Sequence, residues 1–229
     1  MARRVRQLDL RLRPAPRWGG RRVGAGRKRG PNPHDPHRVR QPLAARYPCH
    51  VTLKVRRGLP SLRSGRFVRE WERSLSAAGE RKRFRVVHYS IQPDHVHLIV
   101  EATSNRDLAC GMKSIGSRLA RAVNRVFSRT GTVLADRFHR HVLRTPREVR
   151  NALAYVLLNA RRHLAKMGRR VPAQAIFDPA SSGRWFDGWT RPRDPCEVHG
   201  PLVVAAPRTW LLERGWRRHG LISPAEVPG

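Results

Sequence analysis

Alternation of apolar and polar residues predicts three β-strands early in the chain. The strands are predicted at His50–Val55, Arg85–Gln92 and His95–Glu101, and each is short enough for one strand of a sheet. Successive side chains of a strand point to opposite faces of the sheet, so each strand has one mainly apolar face. Pro93-Asp94 is typical of a turn, and it joins the second and third strands into a hairpin.

Apolar residues at helical spacing predict three helices. The first lies within residues 63–78, and the second begins at Ser104 and ends at Thr130-Gly131. The third begins at Thr145, which is followed by Pro146 at the first helical position and by Glu148, a capping-box residue. Its buried stripe is predicted to contain Val149, Leu153, Val156, Ala160 and Leu164.

These elements follow one another in the order of a known α+β fold. With a further strand near His139–Leu143 the series is βαββαβ, which predicts a ferredoxin-like sandwich, an antiparallel sheet with helices on one face. The third helix follows this sandwich. In the second strand, strict alternation places Val87, Tyr89 and Ile91 on one face.

Composition divides the chain into three parts. Residues 1–46 contain fourteen Lys and Arg but two acidic residues, with many Gly and Pro, and they are predicted to form a disordered basic arm. Residues 47–168 are predicted to form the folded domain, and residues 169–229 an irregular, aromatic C-terminal extension. Arg208–Arg217 is predicted to be a short helix whose tryptophans pack on the domain in preference to stacking on bases.

The charge of the chain indicates a polyanionic partner. Lys and Arg number 48 against 16 Asp and Glu, a formal net charge of +32. Nucleic acid is favoured over a membrane because the chain contains no apolar run of membrane-spanning length. The candidate DNA contacts are Arg27, Lys28 and Arg29 in the arm, and Lys113, Arg118, Arg121 and Arg125 beside the apolar stripe of the second helix.

Three widely spaced cysteines and an N-terminus without an apolar signal segment predict a reducing compartment. The expected location is therefore the cytoplasm.

Two His-x-His pairs are candidates for cation binding. His95 and His97 share one face of the third strand, where two imidazoles can bind one metal ion. From these two residues alone, histidines on a half-exposed strand are the simpler interpretation. His139 and His141 form a second pair around Arg140, which we interpret as a decoy or an accessory pair.

Tyr155 points away from the apolar stripe of the third helix. At about 100° per residue it lies roughly 140° from the stripe, on the same side as Asn159 and Arg162. A tyrosine used for packing would lie on the stripe. Taken alone, Tyr155 is either an ordinary surface residue or a functional one.

Three segments together resemble a known family. Asp94–Glu101, Asp136–Arg144 and Ala154–Ala160, which contains Tyr-x-x-x-Asn, are similar to motifs of the HUH single-tyrosine transposases. These include transposases of small insertion sequences and the REP-associated tyrosine transposases of bacteria. The resemblance spans about residues 47–168. Ala160 stands where REP-associated proteins commonly have proline, which leaves the subgroup open.

The resemblance implies a function and a set of site residues. Tyr155 would be the nucleophile, and His95, His97 and Asn159 would bind a divalent cation, Mg²⁺ or Mn²⁺. The implied reaction is cleavage and rejoining of single-stranded DNA through a 5′-phosphotyrosine, in support of DNA transposition. The DNA would be hairpin ends of a mobile or repeated element, and Arg162 would contact it or activate Tyr155.

Other properties follow from the same resemblance. The protein would be bacterial and associated with the nucleoid. A homodimer, and the use of Tyr155 within or between subunits, stay open. The alternatives are an HUH nickase for replication or mobilisation, which the absence of a helicase-type phosphate loop disfavours, and a non-catalytic, domesticated nucleic-acid-binding protein.

Overall fold

A four-stranded antiparallel sheet with the strand order β2-β3-β1-β4 forms the centre of the protein. It is seen in a computed structural model that describes residues 40–76, 83–169, 177–191 and 201–229. The strands are β1 (Cys49–Lys54), β2 (Phe84–Ile91), β3 (His95–Ala102) and β4 (His139–Val142). Strand order and chain order together are those of a ferredoxin-like sandwich, so the predicted α+β fold is confirmed.

The helices begin where the capping residues predict. Ser104 and Thr145 accept hydrogen bonds from the backbone N–H groups of Asp107 and Glu148, which satisfies donors in the first helical turn. The helices are α1 (Gly65–Ser76), α2 (Asn105–Val126), α3 (Pro146–Leu157), α4 (Asn159–Lys166) and the short α5 (Trp210–Glu213).

Helices cover both faces of the sheet. The apolar face of β3 packs with α1 and α2 in one core, to which β3 contributes Val96, Leu98 and Val100. Val87 and Ile99 belong to a second core that contains the buried residues of α3. The predicted alternation along β3 is therefore confirmed, and the third helix packs on the face opposite α1 and α2.

A β-bulge in β2 changes which of its residues share a face. Val86 pairs with Val100 and His88 pairs with Ile99, so Val87 is the extra residue. Tyr89 and Ile91 belong to the core with α1 and α2, whereas Val87 belongs to the core with α3. The prediction that Val87 shares a face with Tyr89 and Ile91 was wrong because one inserted residue reverses the alternation.

The third predicted helix is interrupted at Leu158. Its backbone has φ −109° and ψ 19°, and it separates α3 from α4. The predicted continuous stripe was wrong beyond this point, because Asn159 is fully buried while Ala160 and Leu164 are half-buried. Around the interruption four consecutive residues, Val156 to Asn159, are buried.

The folded region begins before Tyr47. Leu43 is buried in the core with α1 and α2, and the Arg40 guanidinium donates a 2.6 Å hydrogen bond to the carbonyl oxygen of Phe138. Residues 40–46, assigned to the arm by composition, therefore pack on the domain. The rest of the predicted arm, including Arg27, Lys28 and Arg29, lies outside the described residues.

The described part of the C-terminal extension shares a core with the domain. Trp189 and Trp216 are buried in the core that contains α3, so the predicted packing of Trp216 is confirmed, whereas Trp210 is about half exposed. The predicted helix is shorter than Arg208–Arg217: it is α5, followed by the 3₁₀ turn Gly215–His219. Among the described helices, none has the length and apolar character that crossing a membrane requires.

Candidate active site

His95 and His97 lie side by side on the face of the sheet that is covered by α3. Their Nε2 atoms are 3.0 Å apart, and β3 is rigid because it pairs with β2 on one side and β1 on the other. His97 is buried and His95 is half-buried, so the pair lies at the edge of a protected space. The structure thus places the two histidines together, as the sequence predicts.

Tyr155 approaches this pair from α3. The centre of its ring lies 5.1 Å from that of His97 and 5.6 Å from that of His50. The Arg162 guanidinium carbon lies 5.0 Å from the same tyrosine ring, and Arg162 Nε donates a 3.3 Å hydrogen bond to the carbonyl oxygen of Gly229. Tyr155 is half-buried and faces the histidines, as its position off the apolar stripe suggests.

Asn159, the first residue of α4, has a carboxamide without hydrogen-bond partners among the described residues. Both Oδ1 and Nδ2 are buried and unpaired, and the residue has no exposed surface. Burial of an unpaired polar group costs about 1–3 kcal/mol, so such a group in a folded protein calls for an explanation. Asn159 lies four residues after Tyr155 in the sequence.

The donor set fits a divalent cation. Two nitrogen ligands about 2.1 Å from one metal ion and at right angles to each other are roughly 3 Å apart, which matches the Nε2 separation. No cluster of three His, Cys, Asp or Glu side chains suited to a metal ion occurs within the described ranges. A third protein ligand would therefore be of another type, and the amide oxygen of Asn159 is of a type that Mg²⁺ and Mn²⁺ accept.

Each histidine of the pair has polar neighbours on its second ring nitrogen. His95 Nδ1 donates a 2.6 Å hydrogen bond to Asp94 Oδ1. His97 Nδ1 lies 3.1 Å from both His50 Nε2 and Thr52 Oγ1 on β1. Our sequence reasoning missed His50 and Thr52 as site residues, although they are the polar positions in the alternation of β1.

Burial keeps the central imidazoles neutral. Desolvation, followed by the smaller effects of the neighbouring His50 and His95, lowers the pKa of His97 to about 2. Desolvation likewise lowers the pKa of His50 to about 4, with smaller contributions from His141 and His139. His163, on α4, has a pKa lowered first by burial and then by His95, which identifies it as another neighbour that the sequence did not reveal. A neutral imidazole is the form that binds metal ions.

The second histidine pair lies on the same face of the sheet. On β4, His139 pairs with Thr52 and His141 pairs with His50, and directly paired residues point to the same side. Both are exposed, and they extend the row of polar side chains from β1 to the edge of the sheet. They do not complete a three-residue metal cluster within the described residues.

The cations of α2 lie on the opposite face of the sheet from Tyr155. Arg118 donates a 3.1 Å hydrogen bond to the carbonyl oxygen of Ser74, and Arg125 forms an ion pair with Glu70. These two residues thus connect α2 to α1. The structure does not bring any of the four predicted cations of α2 to the histidine pair; these are Lys113, Arg118, Arg121 and Arg125.

The fold and site define a class of protein: a ferredoxin-like domain in which a strand with two histidines faces a tyrosine on a following helix. Residues 46–141 match the family model described as "Transposase IS200 like". This segment is similar to the IS200-like transposase family, so the predicted resemblance is confirmed for residues 46–141, which are transposase-like. The matched segment contains His95 and His97 and ends before α3.

The chain is also similar to a solved structure. This is a REP-associated tyrosine transposase bound to a REP hairpin, with 17% sequence identity, a TM-score of 0.44, and coverage of 58% of this chain and 75% of that chain. No curated protein matches the sequence.

Proposed function

We propose that the protein cleaves and rejoins single-stranded DNA through a covalent bond to Tyr155. The observation that carries this proposal is the position of Tyr155, whose ring lies 5.1 Å from His97 beside the paired Nε2 atoms of His95 and His97. The match of residues 46–141 to the IS200-like transposase model supports the general class, a DNA-cleaving transposase. The side chains around Tyr155 support the more specific mechanism proposed below.

His95, His97 and Asn159 are proposed to hold a divalent cation, Mg²⁺ or Mn²⁺. Such a cation supplies Lewis-acid polarisation of the scissile phosphate and stabilises negative charge during displacement. The unpaired amide of Asn159 and the 3.0 Å separation of the histidine Nε2 atoms support this assignment.

Tyr155 is proposed to attack the phosphorus atom directly. Its Oη forms a bond to phosphorus while the bond to the 3′-oxygen breaks, which yields a 5′-phosphotyrosine and a free 3′-OH. The phenolic proton is lost and the departing 3′-oxygen gains one, so the step is balanced. A second 3′-OH reverses the reaction on another strand, and cleavage thus becomes joining.

Arg162 is proposed to favour the phenolate of Tyr155. Its guanidinium lies against the face of the tyrosine ring, where a positive charge stabilises developing negative charge on the phenol. Arg162→Ala is expected to slow cleavage at saturating DNA at least tenfold and to weaken DNA binding much less. Arg161→Ala, at the preceding position of α4, is the matched control. Equal losses of binding and cleavage in Arg162→Ala would contradict this role.

The proposed substrate is a hairpin end of a mobile or repeated element. A net charge of +32 favours a strongly charged strand, and the binding should weaken with salt. Arg162 would contact DNA at the site. Lys113, Arg118, Arg121 and Arg125 lie across the sheet and would contact DNA flanking the cleaved strand, together with Arg27, Lys28 and Arg29 of the arm.

Covalent trapping tests the proposed function. The full-length protein is mixed with single-stranded hairpin oligonucleotides from the DNA flanking its own gene, with Mn²⁺ or with chelator, and run on a denaturing gel. We expect an adduct that requires both Mn²⁺ and Tyr155, is absent in Tyr155→Phe and persists in Tyr47→Phe. Tyr47 is a fair control because its ring also lies beside an arginine, Arg46.

The other outcomes separate the alternatives. DNA that is bound but never cleaved would indicate a binding protein without catalytic activity. An adduct that survives Tyr155→Phe would show that another tyrosine is the nucleophile. Tyr89 is a poor candidate because it is buried and its hydroxyl donates a 2.7 Å hydrogen bond to Glu72.

A further inference from the structure

We propose that His50 and Thr52 are positioning residues that orient the His97 ring for cation binding through Nε2. This inference rests on the proposed function, since it concerns the same site. Neither residue contacts the Nε2 atoms of the histidine pair. Their contact is with the other ring nitrogen, Nδ1, which lies 3.1 Å from His50 Nε2 and 3.1 Å from Thr52 Oγ1.

The register of the sheet creates this arrangement. Thr52 on β1 pairs directly with His97 on β3, so the two side chains leave the sheet on the same face. His50 is two residues before Thr52 and therefore points to the same face, toward the next row. The two polar groups thus approach one ring nitrogen from adjacent positions of one rigid strand.

The chemistry of imidazole explains why Nδ1 needs a partner. When Nε2 gives its lone pair to a cation, the ring proton is on Nδ1 and must be donated to an acceptor. A threonine hydroxyl accepts such a hydrogen bond, and so does the unprotonated Nε2 of a neutral histidine. A hydroxyl can also donate, so Thr52 keeps its contact with His97 in either tautomer.

The two histidines of the pair are oriented in different ways because their environments differ. Half-buried His95 is held by the carboxylate of Asp94, which is itself more than half exposed, at 56%. His97 is only 4% exposed, and a carboxylate buried beside it would carry a large desolvation cost. Neutral partners avoid this cost, which is why a histidine and a threonine suit the buried position.

Two partners on one nitrogen predict a specific pattern of effects. In His50→Ala the hydroxyl of Thr52 still holds the ring, and in Thr52→Val the imidazole of His50 does. We therefore expect each single variant to weaken Mn²⁺ binding only a few-fold. The double variant should weaken it about 10–100-fold, the range typical for loss of the groups that orient a ligand, and by more than the two single effects combined.

The first measurement is Mn²⁺ binding by the full-length protein without DNA. Free Mn²⁺ is followed by electron paramagnetic resonance during a titration, so no catalytic activity enters the result. In the His50→Ala background, Thr52→Ser should retain near-single-variant affinity because it keeps the hydroxyl, whereas Thr52→Val should not. His219→Ala, an exposed histidine changed in the same way, is the matched control.

The second measurement requires no metal ion. Nitrogen-15 spectra of the imidazole rings in metal-free protein report the tautomer of His97. We expect a single, fixed tautomer in the parent protein and an averaged signal in the double variant, while thermal unfolding shows that the double variant is folded. If the double variant does not fold, the single variants are the test: Thr52→Val should lose a few-fold in Mn²⁺ affinity and Thr52→Ser should not, and a Thr52→Val variant that binds Mn²⁺ as tightly as the parent overturns the positioning role.

The outcomes distinguish this inference from the proposed function. Parent-like Mn²⁺ affinity in the double variant overturns the positioning role while the cation site stands. A parent protein that binds no Mn²⁺ overturns the proposed cation site. In that case the ring spectra decide, because an unchanged His97 tautomer in the double variant overturns the positioning role as well.

Discussion

Asn159 is a residue whose burial costs stability. Its carboxamide is fully buried and neither polar atom has a partner among the described residues. An unpaired buried amide costs about 1–3 kcal/mol. We therefore predict that Asn159→Leu, which removes the amide at similar volume, leaves the free energy of unfolding unchanged or raises it by about 1–2 kcal/mol, while Mn²⁺ binding is lost. Urea unfolding without metal and Mn²⁺ titration measure the two effects.

A matched variant isolates the effect of burial. Asn151 lies on the exposed side of α3, so Asn151→Leu should change stability by less than about 0.5 kcal/mol and leave Mn²⁺ binding intact. A loss of several kcal/mol in Asn159→Leu would show that the amide makes a stabilising contact in solution. In that case Asn159 would be a structural residue.

His88 makes stability depend on pH at a position that the proposed chemistry does not use. It is buried, its Nδ1 lies 3.2 Å from Ser182 Oγ, and burial lowers its pKa to about 4, against a small opposing effect of Asp187. In the unfolded chain its pKa is about 6.5. Below pH 6.5 the unfolded state therefore binds a proton that the folded state does not, and stability falls as the pH is lowered.

The share due to His88 can be measured by difference. Between pH 7 and pH 5 it amounts to about 2 kcal/mol, from roughly 1.4 kcal/mol per pH unit below 6.5. We predict that His88→Leu loses about that much less stability than the parent over this range, measured by urea unfolding with chelator present. His219→Leu should behave like the parent. Identical pH dependence in His88→Leu would mean that His88 binds its proton equally well in the folded and unfolded states.

At the scale of elements, local signals predicted the structure well. The alternation along β3 placed His95 and His97 on one face, and the caps at Ser104 and Thr145 set the starts of α2 and α3. Such features depend on neighbouring residues, and one sequence contains that information. Helical spacing likewise predicted that Tyr155 lies off the apolar stripe, and this identified it as a candidate site residue.

Features that depend on distant packing could not be predicted in this way. The bulge at Val87 and the interruption at Leu158 each serve a core that is completed by residues far along the chain, such as Trp216. The partners of His97 were missed for the same reason, because the pairing of β1 with β3 has no local signal. The sequence predicted that Arg118 and Arg125 lie off the apolar stripe of α2. It could not predict that both side chains contact α1, because the packing of α1 against α2 has no local signal.

Gly111, in α2, shows how side-chain packing overrides helix propensity. A methyl group at Gly111 would collide with the ring of Phe84, whereas at Gly116 the nearest atom is a terminal carbon of Leu134, at 3.1 Å. Ala gains about 1 kcal/mol over Gly in a helix interior. We predict that Gly111→Ala is nevertheless destabilising by about 1–3 kcal/mol, since overpacking has costs of this size.

Gly116→Ala provides the comparison on the same helix. Alanine at position 116 has a higher helix propensity than glycine, and its close contact with Leu134 is relieved by a small shift of the Leu134 side chain. The free energy of unfolding should therefore change by less than about 1 kcal/mol. Thermal or urea unfolding of the two variants checks the difference. Equal stabilities would mean that Phe84 moves freely and that α2 does not pack closely on β2.

At the scale of the whole molecule, positive charge is densest in residues 1–46, whereas the proposed chemistry belongs to the folded domain. Residues 1–46 carry fourteen Lys and Arg, yet the histidine pair and Tyr155 belong to the folded domain. We predict that deletion of residues 1–39 weakens binding of single-stranded DNA at least tenfold at low salt without changing the cleavage rate of bound DNA. The deletion ends before Arg40 because Arg40 and Leu43 pack on the domain.

The salt dependence of binding gives this prediction its sharpest form. For single strands the logarithm of affinity falls with the logarithm of salt concentration by about 0.7 per neutralised phosphate. An arm that contacts four phosphates would thus reduce the slope by about 3 when it is deleted, and the affinities of the two proteins would converge at high salt. Replacement of Arg27, Lys28 and Arg29 by Gln should produce part of this change. An unchanged slope would place all phosphate contacts on the folded domain, where the candidates are Lys113, Arg118, Arg121, Arg125 and Arg162.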